Sequence, residues 1–331
     1  MNIALLKQLG NIEQIAGIRQ SRIIDGPGKG TAIASFHNAA GLRFTVLPDR
    51  GMDLYDLSFR GINLSFLSKN GLVSAERFSP SIGEFCDQWS AGAMVTCGLD
   101  NVGGQCGNCP THGQFGYLPA VGFGTQTGWE GDDYRLSATG EIHQSRLFGR
   151  HLSVKRRIET TLCGKSIRIR DVITNHEAED EPFMLLYHCN FGYPLLGADS
   201  VFLSNSGSTI PLTAGSVDSR HMSPPIDGCE EELFLHVDNP DVTCGILYNN
   251  ALELGVYVRF RTEHLPNFLQ WKRMKSHDYV MAIEPCNTCG LNRDEAIRQN
   301  KIAVLPAYSA IETGLEIGVI EGREELEELS R

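Results

Sequence analysis

The chain has 331 residues, and 40 acidic against 29 basic side chains leave it a formal net charge of −11 at pH 7. With no Lys/Arg cluster, that balance excludes nucleic acid and anionic membrane surfaces as partners and favours a small neutral molecule. No window approaches a membrane span, and the opening MNIALLKQLGNIEQIAG is interrupted too soon, by Lys7, Gln8 and Glu13, for a signal peptide. Ten cysteines in an acidic chain of this size, with no export signal, read as reduced thiols in a cytoplasm. Thirty-five glycines exceed the usual share of about 7%, and with short alternating runs they predict many turns and an all-β protein.

Residues 3–18 carry a mixed, partly helical pattern in which Ile12, Ile15 and Ala16 share a face. From Gly30 onward, TAIASFHNAAGLRFTVLP predicts two strands joined at Asn38-Ala39-Ala40-Gly41. Pro48-Asp49-Arg50-Gly51 is a turn between strands. Arg50 there is either a solvated turn residue or, facing a polar ligand, a fork of donors for vicinal hydroxyls. The segment from Met94 to Ala120 opens as a short apolar strand and becomes a glycine- and cysteine-rich loop, a kind of loop that is often functional. His112 lies in it beside Gly113, whose missing Cβ lets a ligand or chain approach closely. An ordinary loop histidine fits that position equally well.

Between Tyr134 and Thr174 the pattern is repeated strand. In SIRIRDVITN, Ile167 and Ile169 alternate with polar residues until Asp171 and Val172 shift the phase, which predicts a bulge. The run FMLLYHCNFGYPLL contains His188, where a hydrogen-bonded core histidine is the default reading. Residues 206–232 read as a surface excursion. Strands resume at CGILYN and GVYVRF, and LPNFLQWKRM then supplies Trp271, a core residue or a stacking platform.

The most informative stretch is YVMAIEPCNTCGLN, in which Val280, Ala282 and Glu284 share one strand face. Pro285 is expected to end the ladder, leaving the Glu284 carboxylate on the last rung at a sheet edge. Partial desolvation there would raise its pKa toward neutrality, as suits a general base. A surface glutamate at a strand end is the alternative. RDEAIRQN reads as a charged loop or helical turn, and IETGLEIGV is the clearest strand of all. A helix-prone tail over 321–331 closes the chain. With no repeat and no composition break, one domain spans 1–331, residues 1–29 being an N-terminal extension.

Cys106-x-x-Cys109 and Cys286-x-x-Cys289 have zinc-ligand spacing, but the pairs lie far apart in sequence. Reduced thiols on two neighbouring loops are the leading reading, and neither metal nor cofactor is expected. Walker-type loops, dinucleotide fingerprints and G-x-S-x-G elbows are missing from the sequence.

Taken in order, THGQFGYLPA, LLYHCNFGYPLL, LPNFLQWK with VMAIEP, and LPAYSAIETGLEIGV resemble the aldose 1-epimerase (galactose mutarotase-like) superfamily. The likeness is closest to a poorly characterised branch that also carries PDRGMDLYDLSFRG and CGLDNVG. It implies a galactose mutarotase-like β-supersandwich of antiparallel sheets with few short helices and a sugar cleft on its concave face. By the same resemblance Glu284 is the general base on the anomeric hydroxyl and His188 the acid at the ring oxygen, with His112 assisting there. The chemistry asks for the same set independently, since opening a hemiacetal ring moves one proton off O1 and one onto the ring oxygen.

Three departures bear on the substrate. The arginine–asparagine motif that typical members carry before the first histidine has no match here, nor does their sugar-binding aspartate, and THGQ replaces the usual glycine after His-Gly. Arg50, Asp100 and Asn101 stand in as sugar ligands beside Trp271. The expected partner is a free monosaccharide, with a homo-oligomer left open. A non-catalytic sugar-binding or regulatory protein on the same fold is the second reading.

Overall fold

Period-two alternation governs the architecture, and the computed structural model describes residues 7–79 and 84–330. Three sheets are formed, and each ladder between named strands is antiparallel. A five-stranded sheet runs in chain order from Gly17–Arg22 to Ile62–Asn63. An eight-stranded sheet is ordered Ser200–Ser204, Val242–Asn249, Leu254–Arg261, Ala310–Glu321, Ser166–Asn175, His151–Thr161, Asp133–Ser145 and Ala120–Glu130. The third sheet is ordered Ser208–Pro211, Glu231–Val237, Asn267–Lys275, Asp278–Cys286, Glu181–Phe191 and Ala303–Leu305, with Val95–Leu99 also paired to Glu181–Phe191. Helices are few and short, among them Glu84–Gln88, Arg293–Arg298 and Gly322–Leu329.

One apolar cluster joins the sheets: Phe36 and Phe44 from the first, Val154, Ile169 and Val256 from the second, Cys189, Met281 and Ile283 from the third. The opposite face of the third sheet buries a smaller cluster of Leu186, Leu269 and Cys286. This sheet therefore has one face on the core and another free to build a site, as alternate side chains on a strand require.

The predicted hairpin is present, Ala32–His37 pairing with Leu42–Leu47 through a turn in which Gly41 has φ +93°. Over the described N-terminal residues the mixed pattern is one 3-10 turn, Ile12–Gln14, followed by the strand Gly17–Arg22, with Ile12, Ile15 and Ala16 all packed on the core; Asn11 and Gln14 cap each other and close the turn at once, and residues 3–6 of the expected pattern lie outside the described residues. Two expectations are corrected. Ser166–Asn175 contains no bulge, since its register with both neighbours is unbroken. Asp171 simply keeps the inward phase of Ile167, Ile169 and Ile173. Nor does Pro285 end its ladder. It faces Phe268 inside a strand that continues to Cys286, in the middle of the sheet and not at its edge.

What lets Asp171 face inward is Arg156, its cross-strand partner and fully buried. Arg156 grips it with Nε to Oδ1 at 2.9 Å and Nη2 to Oδ2 at 2.6 Å, and donates through Nη1 to Gly51 O and to Asp53 Oδ1. Tyr187 OH donates to Asp171 Oδ2, and Thr96 donates through both N and Oγ1 to Asp53 Oδ1. The network thus ties the eight-stranded sheet to the strand Glu181–Phe191 from below, one residue before His188.

Candidate active site

The free face of the third sheet forms the floor of a cavity of about 750 Å³, a size typical of small-molecule sites. Register fixes what stands on that floor. Leu269 faces Glu284, Trp271 faces Ala282 and Arg273 faces Val280 along one pair of strands, and Glu231 faces Arg273 along the next. On the other side Cys189 pairs with Ile283, which brings His188 beside Glu284.

His188 Nε2 and Glu284 Oε1 stand 3.2 Å apart, both side chains almost wholly buried. That contact lacks hydrogen-bond geometry, and among the described residues His188 Nδ1 and Glu284 Oε1 have no hydrogen-bond partner. Buried polar atoms are nearly always satisfied, so an open carboxyl oxygen on a residue lining a cavity makes this a candidate ligand site. Burial, with a smaller push from Glu231, raises the Glu284 carboxyl to about 8. Burial, reinforced by His112, holds His188 well below its ordinary value. Both shifts point to the neutral pair, with the proton on the carboxyl at neutral pH.

His112 arrives on the loop after Val95–Leu99 and takes a left-handed conformation, φ +59°. Its N–H donates to Gly103 O at 2.9 Å, and its Nδ1 accepts from Gly103 N at 3.4 Å. Nε2 is therefore the protonated nitrogen of the neutral ring, and burial keeps the ring neutral by lowering its pKa to about 4. Gly113 follows with φ +73°, where a Cβ would lie 2.4 Å from Asp100 Oδ1 and 2.5 Å from Gly98 O. Only glycine fits. Aromatic rings enclose the pair: His112, Trp89 and Trp271 lie 5.5–5.6 Å from the His188 ring, and Phe85 lies 5.3 Å from His112.

The structure brings His112, His188, Glu284 and Trp271 into one cavity, and it places Arg50, Asp100 and Asn101 elsewhere; none of these three lines it. Arg50 is buried, donates to Val73 O at 2.6 Å and lies over the Tyr117 ring. Asp100 accepts from Asn101 N and from Gln114 N and Nε2. Asn101 donates to Gly104 O and Pro110 O and accepts from Arg293 N. The polar groups of Asp100 and Asn101 are engaged with the loop that carries His112, and Arg50 is engaged with Val73 O and Tyr117, so the placement of all three as residues of the sugar cavity is corrected. Phe85, Trp89, Glu231 and Arg273 line the cavity and were not singled out from sequence. The one available signal was the strand alternation that puts Arg273 in phase with Trp271.

The thiols of Cys106, Cys286 and Cys289 donate to Asn101 Oδ1, Thr288 O and Asn267 Oδ1 respectively, and all ten cysteines are free. Among the described residues no group of three or more His, Cys, Asp or Glu side chains is placed to hold a metal ion, and no helix is long and apolar enough to cross a membrane.

Similar folds are known. A Klebsiella pneumoniae structure provisionally assigned as an aldose 1-epimerase matches with a TM-score of 0.88 at 21% identity, over 95% of this chain and 85% of that one. A galactose mutarotase-like protein from Clostridium acetobutylicum matches with a TM-score of 0.63 at 12% identity, over 93% and 99%. Galactose 1-epimerase from Lactobacillus acidophilus NCFM matches with a TM-score of 0.58 at 13% identity, over 93% and 99%. The fold is thus the galactose mutarotase-like β-sandwich. No curated protein matches the chain. A family profile described as "Domain of unknown function (DUF4432)" covers residues 28–319, and the chain belongs to that family, on the galactose mutarotase-like fold.

Proposed function

We propose that the chain is an aldose 1-epimerase-type isomerase that interconverts the α and β anomers of a sugar by opening and reclosing its ring. The observation that carries this reading is the buried, partner-seeking pair Glu284 and His188, 3.2 Å apart on the cavity floor. The pair shares one proton. In the resting form Glu284 holds it, and transfer across the contact gives the carboxylate–imidazolium form. From there Glu284 removes the O1 proton, the bond from C1 to the ring oxygen breaks, and His188 Nε2 protonates that oxygen. The products are the open-chain aldehyde and the neutral pair. Rotation about C1–C2 exposes the other carbonyl face, and reclosure returns both protons. His112 donates from Nε2 to the ring oxygen as charge develops there, and Trp271 offers a flat surface to the C–H face of the sugar.

Because the working enzyme needs one proton on the pair, kcat/KM is expected to be level across neutral pH and to fall as pH rises through about 8, where the last proton leaves. A rate that instead climbed through pH 8 would identify Glu284 as a lone base without His188 as its acid. The direct test is saturation-exchange NMR over a panel of aldoses, ketoses and uronic acids. Accelerated anomer exchange is expected for at least one. Tight sugar binding with exchange no faster than in buffer would move the protein to the binding-module reading.

A further inference from the structure

We infer that Arg273 is a specificity residue for an anionic substituent, so that the sugar bound here carries a carboxylate, phosphate or sulfonate remote from its anomeric carbon. This rests on the anomer-exchange reading for the identity of the reaction, but not for the presence of the anion site.

Arg273 lines the cavity, yet its side chain makes no hydrogen bond or ion pair with any described residue, and its Nε is buried without a partner among them. Every other positive group available at that end is taken. Lys69 is paired with Asp278 at 2.8 Å. Glu231 is the cross-strand neighbour of Arg273 and the obvious counter-ion, but its Oε2 accepts from Trp271 Nε1 at 3.0 Å and forms no ion pair with the guanidinium. A fork of donors in a fixed plane, left open on a rigid strand, matches the two oxygens of a carboxylate or a phosphoryl or sulfonyl group. Asp87 and Glu231 also line the cavity, so its overall potential is not positive. Recognition comes from the aimed fork, not from a field.

Geometry sets where the anion lies. Arg273 is four residues along its strand from Leu269, the partner of Glu284, which is roughly 13 Å of backbone. The reach of an arginine side chain covers part of that span. A sugar with C1 and its ring oxygen at Glu284 and His188 therefore lies across Trp271 and presents its far substituent, on C6 or beyond, to the guanidinium.

The test compares a neutral hexose with its uronate, 6-phosphate and 6-sulfonate counterparts, in both anomer exchange and calorimetric binding, for the wild type, Arg273→Gln and Arg273→Lys. At least one anionic sugar is expected to exceed the neutral one tenfold or more in kcat/KM. Arg273→Gln should erase that advantage through KM with kcat little changed, Arg273→Lys should retain part of it, and the advantage should shrink with added salt. Which anion wins distinguishes the carboxylate, phosphate and sulfonate sources. The inference is overturned if the neutral sugar does as well as all three, or if the preference survives Arg273→Gln. Should no sugar exchange at all, binding decides: an anionic sugar held by the wild type and lost in Arg273→Gln keeps the anion site while the isomerase reading fails. No binding of any anionic sugar overturns the inference.

Discussion

Glu284→Gln is expected to slow anomer exchange by roughly 10²–10⁴-fold, the range that a positioned acid–base group contributes. The amide keeps the volume of a side chain that is 4% exposed, so the loss is chemical and not a failure to fold. Stability should move the other way. In the folded protein burial holds the carboxyl at about 8, against an ordinary value of 4.5. Its contribution is fully present below about pH 4.5. Above that the unfolded chain sheds a proton that the folded one keeps, so wild-type stability falls by roughly 1.4 kcal/mol per pH unit until about pH 8. Glutamine does not titrate. Urea midpoints of the two proteins should therefore agree near pH 4.5 and separate in favour of the variant by pH 8. An active Glu284→Gln protein would sink the catalytic assignment, and an inactive variant less stable than the wild type at pH 8 would reassign Glu284 to structure.

Arg156→Met should cost about 3–5 kcal/mol of stability, because it strands the carboxylates of Asp53 and Asp171 without their cation. Methionine fills much of the arginine stem's volume, so the cost is electrostatic more than a cavity effect. Burial already holds Asp53 up at about 6, against the pull of Arg156. With that pull removed it rises further, and the variant should lose stability faster than the wild type as pH climbs from 6 to 8. Arg156→Lys keeps a charge but not the two-pronged grip on Asp171, and an intermediate cost is expected. Urea unfolding at pH 6 and pH 8 measures all three. A cost below about 1 kcal/mol would show that the network is not what holds the strand beneath His188.

Legibility in the sequence followed the range of the physics. Strand periodicity is local, and it was read correctly at Ala310–Glu321, Leu254–Arg261 and the hairpin around Gly41. The phase of Val280, Ala282 and Glu284 was read too, because successive side chains on a strand alternate whatever packs against them. Misreadings arose where a distant partner changed the meaning of a local signal. Asp171 looked like a slipped register because the arginine that makes a buried aspartate tolerable lies on another strand. Arg50, Asp100 and Asn101 looked like ligands because polarity in a turn or a glycine-rich loop says nothing of whether a backbone carbonyl or a neighbouring amide already satisfies it.

The sequence by itself determined the all-β class and the strand faces on which Glu284 and Trp271 stand, since alternation depends on neighbours two residues away. Only the tertiary structure decided that His188 meets Glu284 at 3.2 Å, that both side chains are buried, and that the Arg273 side chain is left without a partner among the described residues. Those are properties of strand order and burial, which bring together residues about a hundred positions apart and set the dielectric around them.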